Sequence, residues 1–321
     1  VRAEQYLAPE TLAQLGPFEL RAKRIAEGVM SGMHRSPYQG LAVEFAEHRQ
    51  YVPGDPVRHL DWKVFGRSDK LYLKRFQQET NLDVHLLVDA SASMRFGTLG
   101  VKEGWGGTRT GRAAAWTKFD HATAAAAALG FLSLAQRDRV SVEMFAAGTI
   151  ASTRCSNAQG HWRRVVQCLA TAPVEGRADL PRAVDELLLR GPHRSLVVVL
   201  SDLLMPAARV RDAFAKLRHR GQDVIVLRVL DRQELRFDLD DTAPFTGLEG
   251  EPPLEVDARA VRQAYLEVLD EDERGLERLA RGFGFDLVRL DTHESVGPAL
   301  AALLARRERI IAGGGAGRAR A

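Results

Sequence analysis

The apolar positions of this chain follow two periods. "DVHLLVD" (83–89), "SLVVVLSD" (195–202) and "DVIVLRVLD" (223–231) are short, nearly continuous apolar runs. Such runs mark strands covered on both faces. "RVSVEMFA" (139–146) and "FDLVRLD" (285–291) read as further strands, and "TIAST" (149–153) as a hairpin partner after "AAG". Helical patterns fill the intervals: Asp120 to Gln136, rich in alanine, then 158–171, 180–190, Pro206 to Arg220, 258–281 and a closing helix over 296–309. Strands that alternate with helices, separated by crossovers of a dozen or more residues, predict a mostly parallel α/β sheet with helices on both faces.

The first 80 residues follow another pattern. Phe18 to Met30 predicts one amphipathic helix with Leu20, Ile25 and Val29 inward, and "SGMHRSPYQG" breaks it. Leu41 to Thr80 is dense in aromatic and charged residues, with a strand-like run from Lys70 to Phe76 and a turn at "VPGDP". The expected organisation is an N-terminal helical and β annex over 1–80, an α/β domain over 81–309, and a Gly-rich, basic, disordered tail over 310–321. There is no internal repeat.

Composition narrows the function classes. With 321 residues and 45% hydrophobic content, the chain can bury a sizeable core. Its formal charge of +3 is too small an excess to argue for nucleic acid. Cys155 and Cys168 are the only cysteines, which excludes a disulfide framework and a thiolate metal site and fits free thiols in a reducing compartment. No apolar run reaches the roughly 20 residues of a membrane span, and no signal pattern opens the sequence. A cytoplasmic location is the expectation.

The candidate chemistry sits at two strand ends. "DVHLLVDASASM" finishes in Asp89, Ser91 and Ser93 at alternate positions, and "VVVLSDLL" finishes in Ser201 and Asp202. In doubly wound sheets, ligands bind beyond the carboxyl ends of the strands. A carboxylate and two hydroxyls are hard oxygen donors suited to Mg²⁺, with Mn²⁺ or Ca²⁺ as alternatives. Each motif alone is also what turns and helix caps use; two acids from two covered strands favour the metal. No G-x-S-x-G surrounds either serine. His121 stands near the start of the next helix and is expected to be a solvated surface histidine.

"DASASM" with the later "LSD" resembles the metal-ion-dependent adhesion site of von Willebrand factor A-type domains. The annex run "EFAEHRQYVPGDPVRHLDW" resembles the signature of a bacterial family, domain of unknown function 58, in which a von Willebrand-type domain follows directly. That resemblance implies a von Willebrand factor A-like fold and a noncatalytic interaction module. It makes Asp89, Ser91 and Ser93 first-loop ligands and Asp202 the third-loop acid. A partner's acidic residue would complete the coordination of the metal. The resemblance also implies an adaptor role beside a MoxR-type AAA+ ATPase, in protein remodelling or metal insertion. The second loop departs from the family pattern: "GRADLPRAV" places Ala178 where a threonine is common, leaving Asp179 to substitute or to cap the helix from Leu180.

Two segments near these motifs carry secondary expectations. Trp62, Arg58, Asp61 and Arg67 are expected to staple the annex to the α/β domain, the alternative being that Trp62 and the arginines are partner hot spots. The stretch "FGTLGVKEGWGGTRTGRAAAWTK" (96–118) reads as a mobile surface loop at the rim of the site, either with Trp105 and Arg109 contacting or gating a partner or as an inert insertion. It lacks P-loop spacing. The alternatives to the interaction module are a Mg-dependent hydrolase or phosphatase, and a scaffold whose metal site is empty.

Overall fold

Among the described residues, the covered apolar runs at 83–89, 196–201 and 223–230 are strands, and the helical spacing at 180–190 and from 258 onward forms helices. The structure, a computed structural model, describes residues 42–50, 62–68, 71–79, 82–100, 108–110, 113–171, 175–190, 194–239, 243–304 and 306. The expected helix at Phe18 to Met30, the "VPGDP" turn, Trp105 and the tail over 310–321 lie outside these residues.

The chain divides into two compact units, one over 36–82 and one that holds everything from Asp83 onward. In the smaller unit, β1 (Ala42–Gln50) pairs antiparallel with β2 (Tyr72–Glu79), the register shifting between Phe45 and Glu47. Between them lies α1 (Trp62–Ser68), a helix that the sequence pattern did not predict.

The larger unit begins with β3 (Asp83–Asp89), which ends in a 3₁₀ turn over Ala92–Arg95. The segment expected to be a mobile loop instead carries a small antiparallel sheet. Its strands are β4 (Leu99–Gly100), β5 (Thr108–Thr110) and β6 (Ala113–Trp116), in the order β4-β6-β5. Thr108, Thr110 and Trp116 have ordinary strand character, but the alanines of β6 and the surrounding glycines give the sequence no strand signal. Then come α2 (Lys118–Ala135), β7 (Arg139–Phe145), β8 (Thr149–Ser152), α3 (His161–Leu169), α4 (Leu180–Arg190) and β9 (Leu196–Ser201). They are followed by α5 (Ala207–His219), β10 (Asp223–Leu230) and a short α6 (Arg232–Arg236). A hairpin of β11 (Ala243–Phe245) and β12 (Leu254–Val256) precedes α7 (Ala258–Phe283) and β13 (Asp286–Asp291). The chain is helical again over 296–304.

The central sheet has six strands in the order β13-β10-β9-β3-β7-β8. All neighbours are parallel except β7 and β8. Counted along this sheet alone, the order is 3-2-1-4-5-6 with one antiparallel edge. This is the doubly wound von Willebrand-like arrangement, with its switch point between β3 and β9.

One face packs Leu87, Val197, Val199, Val224 and Val226 against Leu180 and Val184 of α4, Val210 and Phe214 of α5, and Leu276 of α7. The other face is covered chiefly by α2, whose alanines from Ala124 to Ala128 are all buried. A helix that is apolar nearly all round belongs inside. Thr117 and Asp120 close a reciprocal capping box at its start, which fixes where Lys118 begins.

Candidate functional site

Register sets the first pair of the site. Val88 lies opposite Leu200, so Asp89 and Ser201 end their strands side by side at the switch point. The Ser201 hydroxyl donates to Asp89 Oδ2 at 2.6 Å. The other carboxylate oxygen, Oδ1, accepts the backbone N–H of Ser91 at 2.9 Å. Ser91 is extended and the 3₁₀ turn after it folds Ser93 back, so the two hydroxyl oxygens lie 3.2 Å apart. Ser93 also helps hold the carboxyl of Asp202, from the third loop, below its ordinary value. The structure therefore brings together Asp89, Ser91, Ser93 and Asp202.

Sequence reasoning missed the cation already built into this cluster. Lys118, 1% exposed, places Nζ 2.8 Å from Asp202 Oδ2 and 2.7 Å from Glu234 Oε1. Burial alone would lower the Lys118 pKa, but the two carboxylates reverse this and raise it. Burial works against Asp202 as well, yet Lys118, the Leu204 N–H and Ser93 outweigh it and hold the carboxyl below its ordinary value. Glu234 shares the same ammonium but stays raised, because burial dominates there. The lysine thus pairs with both carboxylates at once.

Asp89 receives no such help. Fully buried, and facing Asp202, its carboxyl is pushed up to about 7 despite the bonds from Ser201 and Ser91. Among the described residues no basic side chain pairs with it. A carboxylate held in this way is stabilised by a proton or by an added cation.

Arg228, in β10 beside Ser201, is 1% exposed. Its Nε donates to the Asp202 carbonyl at 3.1 Å, and its Nη2 pairs with Asp272 of α7. It fixes the backbone of the third loop. The signal that would have found Glu234 is "DRQE" (231–234), a capping-box pattern in which Asp231 and Glu234 cap α6 reciprocally. Nothing in "WTKFD" (116–120) marks Lys118 as buried.

The remaining sequence-predicted residues fall differently. Asp179 spends its carboxylate on Arg209, 2.5 Å away, and on the Arg182 N–H at the start of α4, so it serves as the cap of that helix. The second loop does reach the site, since the Gly176 carbonyl accepts the Ala92 N–H at 3.1 Å. Arg109 lies on β5. His121 is a correction: it is 3% exposed, not solvated. Its Nδ1 accepts the Trp116 indole N–H at 3.1 Å, and burial lowers its pKa to about 4.

Above the cluster opens a cleft of about 300 Å³ lined by Ser93, Lys118, Glu234, Leu248, Glu249 and Glu251, among others. Leu204 and Leu248 on its rim are exposed. Among the described residues no group of three or more His, Cys, Asp or Glu is arranged to hold a metal. An ion here would rest on two carboxylates and serine hydroxyls and keep several waters, which suits Mg²⁺ and not a soft metal. On donor chemistry, and on the Asp89 charge that Lys118 does not offset, the residues fit such an ion.

Residues 47–274 match the family model described as "Protein of unknown function DUF58", well over half of the chain. The chain belongs to the DUF58 family. Among relatives of this DUF58 chain, uncharacterized proteins of Mycobacterium tuberculosis and Mycobacterium bovis are 30% identical over 233 residues, 71% of this chain and 68% of theirs. Among solved structures, it is similar to the conserved hypothetical protein BatB from Bacteroides thetaiotaomicron. That match has a TM-score of 0.44 and 14% identity, and covers 71% of this chain and 98% of that one. The SpRpn10 VWA domain gives a TM-score of 0.37 and 9% identity, over 68% and 94% of the two chains. These likenesses are coarse, and the DUF58 fold rests here on its strand order and register.

Proposed function

We propose that this DUF58 chain is a noncatalytic protein-interaction module whose site takes a divalent cation, Mg²⁺ by preference, at the switch point between β3 and β9. The observation that carries this reading is the convergence of Asp89, Ser91, Ser93 and Asp202 from two strand ends, with the Asp89 charge unpaired among the described residues. Asp89, Ser91, Ser93 and Asp202 would hold the ion. When bound, it supplies directional attraction for an acidic side chain of a partner protein. Lys118 and Arg228 set the third loop in place and offset part of the negative charge.

The partner class proposed, from the family resemblance, is a MoxR-type AAA+ ATPase, for which this chain serves as adaptor. A hydrolase finds little support: His85, in the strand that ends at Asp89, has Nδ1 at 2.6 Å from the Ser141 hydroxyl, and His121 has Nδ1 committed to Trp116. Titration with Mg²⁺ and Mn²⁺ by calorimetry tests the cation reading. Saturable binding that Asp89→Asn abolishes is the expected result; equal heats for both proteins would refute it. A pull-down with and without a chelator tests the partner in the same terms.

A further inference from the structure

The segment between β11 and β12 crosses the mouth of this cleft. Residues 246–251 make a tight turn in which Gly250 has φ 87°, in the left-handed region. Gly247 lies so close to Glu251 that a Cβ built on it would stand 2.5 Å from the Glu251 Cβ, so only glycine fits there. The Glu249 N–H donates to Glu251 Oε2 at 3.1 Å, which orients the turn.

Its two carboxylates point at different things. Glu251 pairs with Arg177 Nη2 at 2.6 Å. Glu249, with a side chain only 16% exposed, lies 3.5 Å from Arg177 Nε and lines the same cleft as Ser93. Arg177 belongs to the second loop, beside Ala178. That loop offers no hydroxyl where the family pattern has a threonine; it offers a guanidinium that holds the turn.

We propose that Glu249 fills, in cis, the place beside the proposed ion that a partner's carboxylate would take, so that the protein is self-capped and a partner binds by displacing Glu249. This rests on the cation reading. The geometry makes the cap releasable: Arg177 is 69% exposed, and ion pairs this exposed are weak. The adjoining Leu204 and Leu248, both exposed, give an arriving segment apolar contact on either side of the same opening. The partner that fits is an acidic residue flanked by apolar ones.

The test uses the full chain, Mn²⁺ as probe, and water-proton relaxation to count exchangeable waters on the bound ion. Glu249→Ala is expected to weaken Mn²⁺ binding several-fold and to add one exchangeable water. Added acetate should remove that water in Glu249→Ala and leave the wild type unmoved. Arg177→Ala, which keeps the carboxylate but loosens the turn, should respond to acetate partially, and Glu249→Gln controls for loss of the side chain's bulk. If Asp89→Asn abolishes Mn²⁺ binding while Glu249→Ala matches wild type and ignores acetate, the cap is refuted and the cation reading stands. If the wild type binds no Mn²⁺, both are refuted.

Discussion

Lys118 has the most at stake of any single side chain. It is the one cation among the described residues that touches both Asp202 and Glu234, and all three are largely buried. Removing one member of a buried ionic group leaves uncompensated charge and costs about 3–5 kcal/mol. Lys118→Met is therefore expected to lower the urea midpoint sharply. Adding Glu234→Gln to it should recover part of the loss, since one stranded carboxylate is then gone. His121 makes a second prediction, with a sign. Its folded pKa, about 4, lies below the ordinary histidine value of 6.5, and Trp116, Asp291 and His293 are the groups that face it. The neutral ring's contribution is fully present above about pH 6.5 and is lost as the pH falls towards 4. That is about 3 kcal/mol at most, from 1.36 kcal/mol per pKa unit. Urea denaturation at pH 7 and pH 5 checks it: the wild type should lose more stability across this interval than His121→Gln.

At the scale of elements, caps and strand ends decide where side chains point. Thr117 caps α2 and Asp120 returns the bond, so the helix starts at Lys118, whose side chain reaches into the acid cluster. Thr117→Ala should cost about 1 kcal/mol. The denaturant midpoint should fall with no change in slope, because the surface exposed on unfolding is unaltered. The strands themselves were legible: β3, β9 and β10 appear as apolar runs, and α4 and α7 begin where their periodicity begins. The small sheet of β4, β5 and β6 was not, because two-to-four-residue strands among glycines carry no countable period. The capping-box pattern at Asp231 and Glu234 was present in the text but had no partner to give it meaning until Lys118 arrived from 116 residues away.

The whole larger unit hangs on a sheet covered on both faces, and Leu87 lies near its centre, fully buried with Val197, Val199 and Phe145. Leu87→Ala should cost about 2–5 kcal/mol, read as a lower urea midpoint, since the cavity has rigid walls on every side. The parallel order of β9, β3 and β7 then does what no local pattern does: it sets Asp89 beside Ser201 and brings Asp202 near Ser93. The sequence by itself determined the alternation of strands and helices, the two acid-bearing strand ends and the family signature. These depend on periods and spacings a few residues long, which the text records directly. Only the tertiary structure decided that a lysine sits inside the acid cluster, that His121 is buried, that Asp179 caps a helix, and that Glu249 lines the same cleft as Ser93. Each of these is a meeting of residues far apart in the chain, and burial and charge compensation exist only once the sheet register has brought them together.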